Sequence, residues 1–168
     1  MNSPRLLDVL EHPDERLRVV SSPVEDVSSI RGLVRDMVHT LYWHRAVGLA
    51  APQVGVPVRL FVLDPAYFVG DMAVPAMVFV NPEIISASDE RVRRREGCLS
   101  FPGQFLHVTR PRWVVVRALD AAGRPVELST EGNDLLSQAV QHETDHLDGV
   151  LFADRIDERQ RRRMARSR

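Results

Sequence analysis

Between residues 28 and 43 the apolar positions Ile30, Leu33, Val34, Met37, Val38 and Leu41 recur at helical spacing, with Arg31, Arg35 and Asp36 on the opposite side. This pattern predicts a first long helix. The following AVGLAAPQVGVP stretch is apolar but rich in small residues, Gly and Pro, so it reads as a buried loop. VRLFVLD and AMVFVN are short β-branched and aromatic runs closed by Pro-containing turns. Further alternating segments lie at 83–88, around Val108 and at 113–119. Residues 121–124 read as a hairpin turn between VVVRALD and PVELST, which together predict a largely antiparallel sheet. From Asp134 the period returns to helical, with Leu135, Leu136, Ala139, Val140, His142, Glu143 and His146 on neighbouring faces and Gly149 as the stop. The expected fold is α+β, with largely antiparallel sheets packed around this second helix. Residues 1–168 form one domain that ends in an Arg-rich tail at 159–168.

Composition narrows the class without naming a function. With 168 residues, 44% of them apolar and 27% charged, the chain has the make-up of an ordinary single-core domain. A net charge of −1 gives the protein as a whole no electrostatic case for binding DNA. Every basic residue is Arg, from which no function follows. Cys98 is the only cysteine, so no internal disulfide can form, and neither a secretory start nor a membrane-spanning run is present. The expected compartment is the cytoplasm.

Chemistry concentrates in His142-Glu143-Thr144-Asp145-His146. Residues four apart on a helix share a face, so both His can reach one metal ion while Glu143 stands beside it, free to take a proton from water. Such a site needs a third ligand. A later His is excluded, because Phe152 occupies the required position and no His follows His146. Glu158 remains an alternative, although only a short Arg-dominated tail surrounds it. Cys98 fits better: Gly97 before it permits close approach of the backbone, and Pro102-Gly103 turns the chain just afterwards. Singly, a buried Cys or His is most often a packing residue. Two His and two acids on or near one helix face would carry a large desolvation cost without a cation, and together they favour metal binding.

Three separated segments, in order, resemble the motifs of the peptide deformylase family: Ala46-Val47-Gly48-Leu49-Ala50-Ala51-Pro52-Gln53, Glu96-Gly97-Cys98-Leu99-Ser100, and the run from Gln141 to Gly149. HPDERLR at 12–18 and VNPEI at 80–84 extend the resemblance over most of the chain. It implies an α+β metallohydrolase, bacterial in type, that removes the formyl group from N-formylmethionyl peptides of newly made proteins. By the same resemblance Cys98, His142 and His146 hold the metal, Fe2+ in the cell and Zn2+, Ni2+ or Co2+ in purified protein. Glu143 is then the general base, and Gln53 and the backbone N–H of Leu99 stabilise the oxyanion. Backbone groups of Val47, Gly48 and Gly97 are expected to hold the peptide, and Leu135 and Ala139 to line an apolar pocket for its first side chain. Asp145 is expected to pair with Arg110.

Two departures from the motifs bear on substrate entry. Ala46 stands where the family has Gly, which would strain the loop if that position needs positive φ or close approach. Arg94 stands where some relatives have an apolar residue, and it either charges the pocket rim or pairs with carboxylates along a strand. The Arg-rich tail suggests transient contact with ribosomal RNA. Rival readings separate by simple criteria: a zinc endopeptidase would need Glu158 as ligand, a cysteine hydrolase would survive chelation, and a metal-dependent binding protein would not need Glu143 or Gln53.

Overall fold

The structure is a computed structural model that describes residues 3–71 and 73–166, with side chains as far as residue 162. Its elements run in chain order α1 (Arg31–Trp43), β1 (Gly48–Ala50), β2 (Leu60–Leu63), a single-turn α2 (Ala66–Val69), β3 (Met77–Ala87), β4 (Arg91–Gly97), β5 (Phe105–Pro111), β6 (Val114–Leu119), β7 (Pro125–Ser129), α3 (Asp134–Leu147) and α4 (Glu158–Arg166). One antiparallel sheet has the order β1-β2-β3-β6-β7, and β4 and β5 pair as a separate antiparallel ribbon. The α+β class and the central helix expected from the sequence are both present.

β2 shows how the layers are built. Phe61 and Leu63 join Ala139, Val140 and Leu147 of α3 in one core cluster, while Leu60 and Val62 join Met37 and Leu41 of α1 in another. Both faces of the strand are covered, which is why LFVL is apolar throughout rather than alternating. A third cluster, with Leu17, Phe101, Leu106, Leu151 and Phe152, fastens the ribbon to the segment after α3. No helix among the described residues is long and apolar enough to cross a membrane.

Some boundaries differ from the sequence pattern. Residues 27–30 form a 3-10 turn capped by Asp26, and the α-helix proper starts at Arg31. AVGLAAPQVGVP is not wholly loop: Gly48–Ala50 is a strand that pairs with β2, and Ala51–Val54 is a 3-10 turn. Because β1 has a partner on one side only, its short run of small residues gave no alternation to read. The two strands expected at 76–81 and 83–88 are one continuous β3, whose register shifts between Val80 and Glu83 and between Ile84 and Ser86 interrupt the period. Asn81 has φ +52°, and its side chain exchanges hydrogen bonds of 2.7 and 2.8 Å with the backbone of Val24. The Arg-rich tail is helical as far as Arg166, and residues 167–168 lie outside the described residues.

Candidate metal centre and catalytic cleft

α3 starts at Asn133, whose side chain accepts a hydrogen bond from the Leu136 N–H at 3.0 Å. It is buried from Leu136 to Leu147, although it carries Ser, Gln, His, Glu, Thr and Asp in that run. Polar side chains survive there because most of them are bonded. Gln141 donates to Pro111 and Ser137, Thr144 donates to the Val140 carbonyl, and Asp145 accepts from Arg110 at 2.8 Å and Arg155 at 2.6 Å. Just past the helix, Gly149 adopts φ +69° directly against the Arg18 carbonyl.

The Cys98, His142 and His146 donor atoms all lie within 4.8 Å of one another. Cys98 Sγ is 3.3 Å from His146 Nε2. His142 donates from Nδ1 to Glu96 Oε2 at 2.9 Å, which leaves Nε2 as its ligating atom. Arg110 grips the same carboxylate from the other side, with bonds of 2.5 and 3.0 Å, so an unbroken buried chain runs His142–Glu96–Arg110–Asp145–Arg155. Burial alone would push the Glu96 carboxyl up, but the hydrogen bonds from His142 and Arg110 outweigh it and hold it at about 2. Burial keeps His146 well below the usual imidazole range, and a neutral ring is what ligation needs.

The set fits a divalent cation. One thiolate and two imidazoles are a borderline-soft donor group, and Glu143 Oε2 beside them is buried with no hydrogen-bond partner among the described residues. Burial lifts the Glu143 carboxyl to about 7; the charges of His142 and Arg110 pull it down and that of Glu96 pushes it up. Such a group can both accept and return a proton near neutral pH. Glu158 is not part of the cluster. It sits on α4 in an ion pair with Arg162, so the alternative third ligand is set aside.

A cavity of about 770 Å³ opens over this cluster. One wall is the outer side of β1 with Ala46, Val47 and Gly48, the other is Arg95 to Leu99, and α3 closes it with Leu135, Gln138, Ala139, His142 and Glu143. All of the site residues expected from the sequence except His146 line it, and His146 lies directly behind Cys98. Gln53 is oriented by the Ala50 N–H, which donates to Oε1 at 2.8 Å, so that Nε2 turns toward Cys98 Sγ at 3.5 Å and Ser100 Oγ at 3.2 Å. The Val47 carbonyl already accepts from the Asp64 N–H at 2.9 Å. Arg94 does not line the cavity; its guanidinium lies 3.4 Å from Asp134, and Arg95 reaches the rim instead, stacked 4.3 Å over the Phe105 ring. Ala46 carries no positive φ, which falls on Arg45 at 50°, so the backbone strain expected from a left-handed conformation does not arise there.

Sequence reading missed several participants. It gave no role to Glu96, Gln138 or Arg155, nor to the N-terminal segment whose Leu6, Leu7 and Val9 also line the cavity. Gln138 was within reach of the pattern, since it stands four residues before His142 on the same face.

Comparison with known proteins agrees with this geometry. The family model described as polypeptide deformylase matches residues 6–162. Peptide deformylase 1 of Pseudomonas syringae is 47% identical over 160 residues, covering 95% of this chain and 92% of the relative. The crystal structure of a peptide deformylase from Legionella pneumophila superposes with a TM-score of 0.86 at 45% identity, covering 96% of this chain and 92% of that one. A Synechococcus elongatus peptide deformylase in complex with actinonin gives 0.88 at 38% identity, over 98% and 90% of the two chains. On the extent of these matches and the three ligands in place, the chain belongs to the polypeptide deformylase family.

Proposed function

We infer that the chain is a peptide deformylase, a metal-dependent hydrolase that removes the N-formyl group from nascent peptides and releases formate. The observation that carries this reading is the convergence of the Cys98, His142 and His146 donors with the buried Glu143 carboxylate under one open cavity. A divalent cation held by those three side chains supplies, when bound, Lewis acidity toward water and toward the formyl oxygen. Glu143 removes a proton from the attacking water as its oxygen bonds to the formyl carbon. It then delivers that proton to the amine nitrogen as the C–N bond breaks. The Gln53 amide and the Leu99 N–H donate to the formyl oxygen as it gains negative charge, each contributing about 3 kcal/mol.

The peptide adds as a strand along the open edge of β1 through the backbone of Val47 and Gly48, with Gly97 on the facing wall. This mode reads main chain and tolerates varied sequence. Leu135 and Ala139 flank the first side chain. The donor set suits Fe2+, Zn2+, Ni2+ or Co2+ over Mg2+ or Ca2+, and we assign Fe2+ in the cell. A thiol that must stay reduced favours the cytoplasm as the compartment. For the Arg-rich tail, with Arg159, Arg161 and Arg162 exposed on α4, we propose transient contact with ribosomal RNA. Ribosome pelleting with and without residues 159–168 across a salt series tests it, and equal, salt-insensitive recovery refutes it.

The activity itself is tested by formate release from formyl-Met-Ala-Ser, using protein purified anaerobically with iron and the variant Glu143→Ala, with metal content measured in both. Release by wild type that is lost in a variant still holding its metal supports Glu143 as the base. A folded, fully metallated wild type that releases no formate refutes the assigned activity.

A further inference from the structure

Gln138 makes the cavity wall less apolar than the sequence predicts. It lies on α3 between Leu135 and Ala139, one turn before His142, and lines the cavity while remaining only 8% exposed. Its Nε2 donates to the Arg95 carbonyl of β4 at 3.3 Å. A backbone carbonyl can only accept, so this bond fixes which end of the amide faces the strand. Oε1 is shown with no hydrogen bond among the described residues and is not one of the polar atoms sealed away without a partner, so on a residue that lines the cavity it is the end left accessible. Tying α3 to β4 accounts for the Nε2 bond, but not for an acceptor presented to the cavity beside Leu135 and Ala139.

A few polar groups placed in a mostly apolar pocket set which ligand it prefers. Resting on the deformylase reading, we propose that Gln138 is a specificity-determining residue. It admits, beside methionyl substrates, N-formyl peptides whose first side chain is unbranched and ends in a hydrogen-bond donor, glutaminyl ones above all. Glutamine and methionine side chains have nearly the same reach, so shape separates them little. The glutamine amide brings N–H groups to Oε1, whereas methionine sulfoxide, of equal reach, brings only another acceptor oxygen.

The test compares kcat/KM for formyl-Met-Ala-Ser, formyl-Gln-Ala-Ser and the formyl-methionine sulfoxide analogue in wild type and in Gln138→Met, which conserves volume. Gln138→Leu serves as a second variant should the first fold poorly. Wild type favours the glutaminyl over the sulfoxide peptide by about fivefold, the worth of one hydrogen bond, and the preference collapses in either variant. A preference that is absent in wild type, or that survives both substitutions, overturns the role of Gln138 while leaving methionyl turnover intact. No turnover of any formyl peptide by metal-loaded wild type overturns the deformylase reading, and this inference with it.

Discussion

The chain of charges behind the metal ligands makes a quantitative demand on Arg110. Its side chain is 6% exposed, and its guanidinium holds Glu96 through two bonds and Asp145 through a third. Replacing it with Met keeps most of the volume but removes the one guanidinium that holds Glu96 among the described residues, where His142 is then the remaining partner of the buried carboxylate. Asp145 keeps Arg155. Breaking a buried pair from one side costs about 3–5 kcal/mol, because the surviving charge has lost its compensation. In a domain of this size each kcal/mol moves the melting temperature by about 2–4 °C, so Arg110→Met should melt roughly 6–20 °C below wild type. Arg155 offers the internal comparison: it contacts the same network but is 49% exposed, so solvent screens it, and Arg155→Met should cost about 1 kcal/mol or less. The assay is thermal and urea unfolding of both variants with saturating metal, because bound metal contributes to apparent stability and must be held constant. Equal losses in the two variants, or a loss below about 1 kcal/mol in Arg110→Met, would refute the claim that burial rather than contact number sets the cost.

Other outcomes follow from close approaches. A Cβ at Gly48 would lie 2.5 Å from Glu143 Oε1 and 2.8 Å from Leu63, so Gly48→Ala should displace Glu143, the base we propose, and lower kcat/KM by about 100-fold with metal retained; a near-wild-type rate would show that Glu143 can shift without loss. At Gly149 the same addition runs into the Arg18 carbonyl with φ +69°, and Gly149→Ala should destabilise the fold by about 3 kcal/mol in urea titrations. Burial works against the charge on Asp36, but bonds from Arg5 and Arg35 outweigh it and hold the carboxyl below its ordinary value of 3.8. A depressed folded-state value stabilises above the unfolded one and is lost on acidification. The stability gap between wild type and Asp36→Asn should therefore be full at pH 6 and close as the pH falls below 3.8. A gap that persists at pH 2 would contradict it.

The sequence made the site more legible than the path of the chain around it. His142, Glu143 and His146 could be read because helical spacing puts them on one side without help from the rest of the fold. Cys98 could be favoured but not fixed, since its distance from the helix is a tertiary fact, and Glu158 was set aside only when α4 turned it to Arg162. β1 was read as loop because its strand character comes from pairing with β2, and three small residues carry no periodic signal. Arg94 and Arg95 show the same limit. Adjacent residues on a strand face opposite ways, and only the register of β4 against β5 decides which of them reaches the cavity.

The polar face of α3 explains why that register matters. A helix buried at twelve successive positions could be held far more cheaply by Leu and Ala than by Gln, His, Glu, Thr and Asp. Apart from the bonds that Gln141 and Thr144 make within α3, the partners that compensate its polar groups come from particular places: Arg95 and Glu96 on β4, Arg110 and Pro111 on β5, Arg155 beyond the helix end. A slip of the ribbon by one residue would turn Glu96 away from His142 and leave several buried groups unpaired at once. The same contacts that orient His142 therefore penalise alternative pairings of β4. Glu143 Oε2 and His146 Nδ1 stand outside that compensation, buried without partners among the described residues, and both belong to the reactive cluster. The unsatisfied polar groups of this helix thus collect at its chemistry, while the satisfied ones surround it and fix its place.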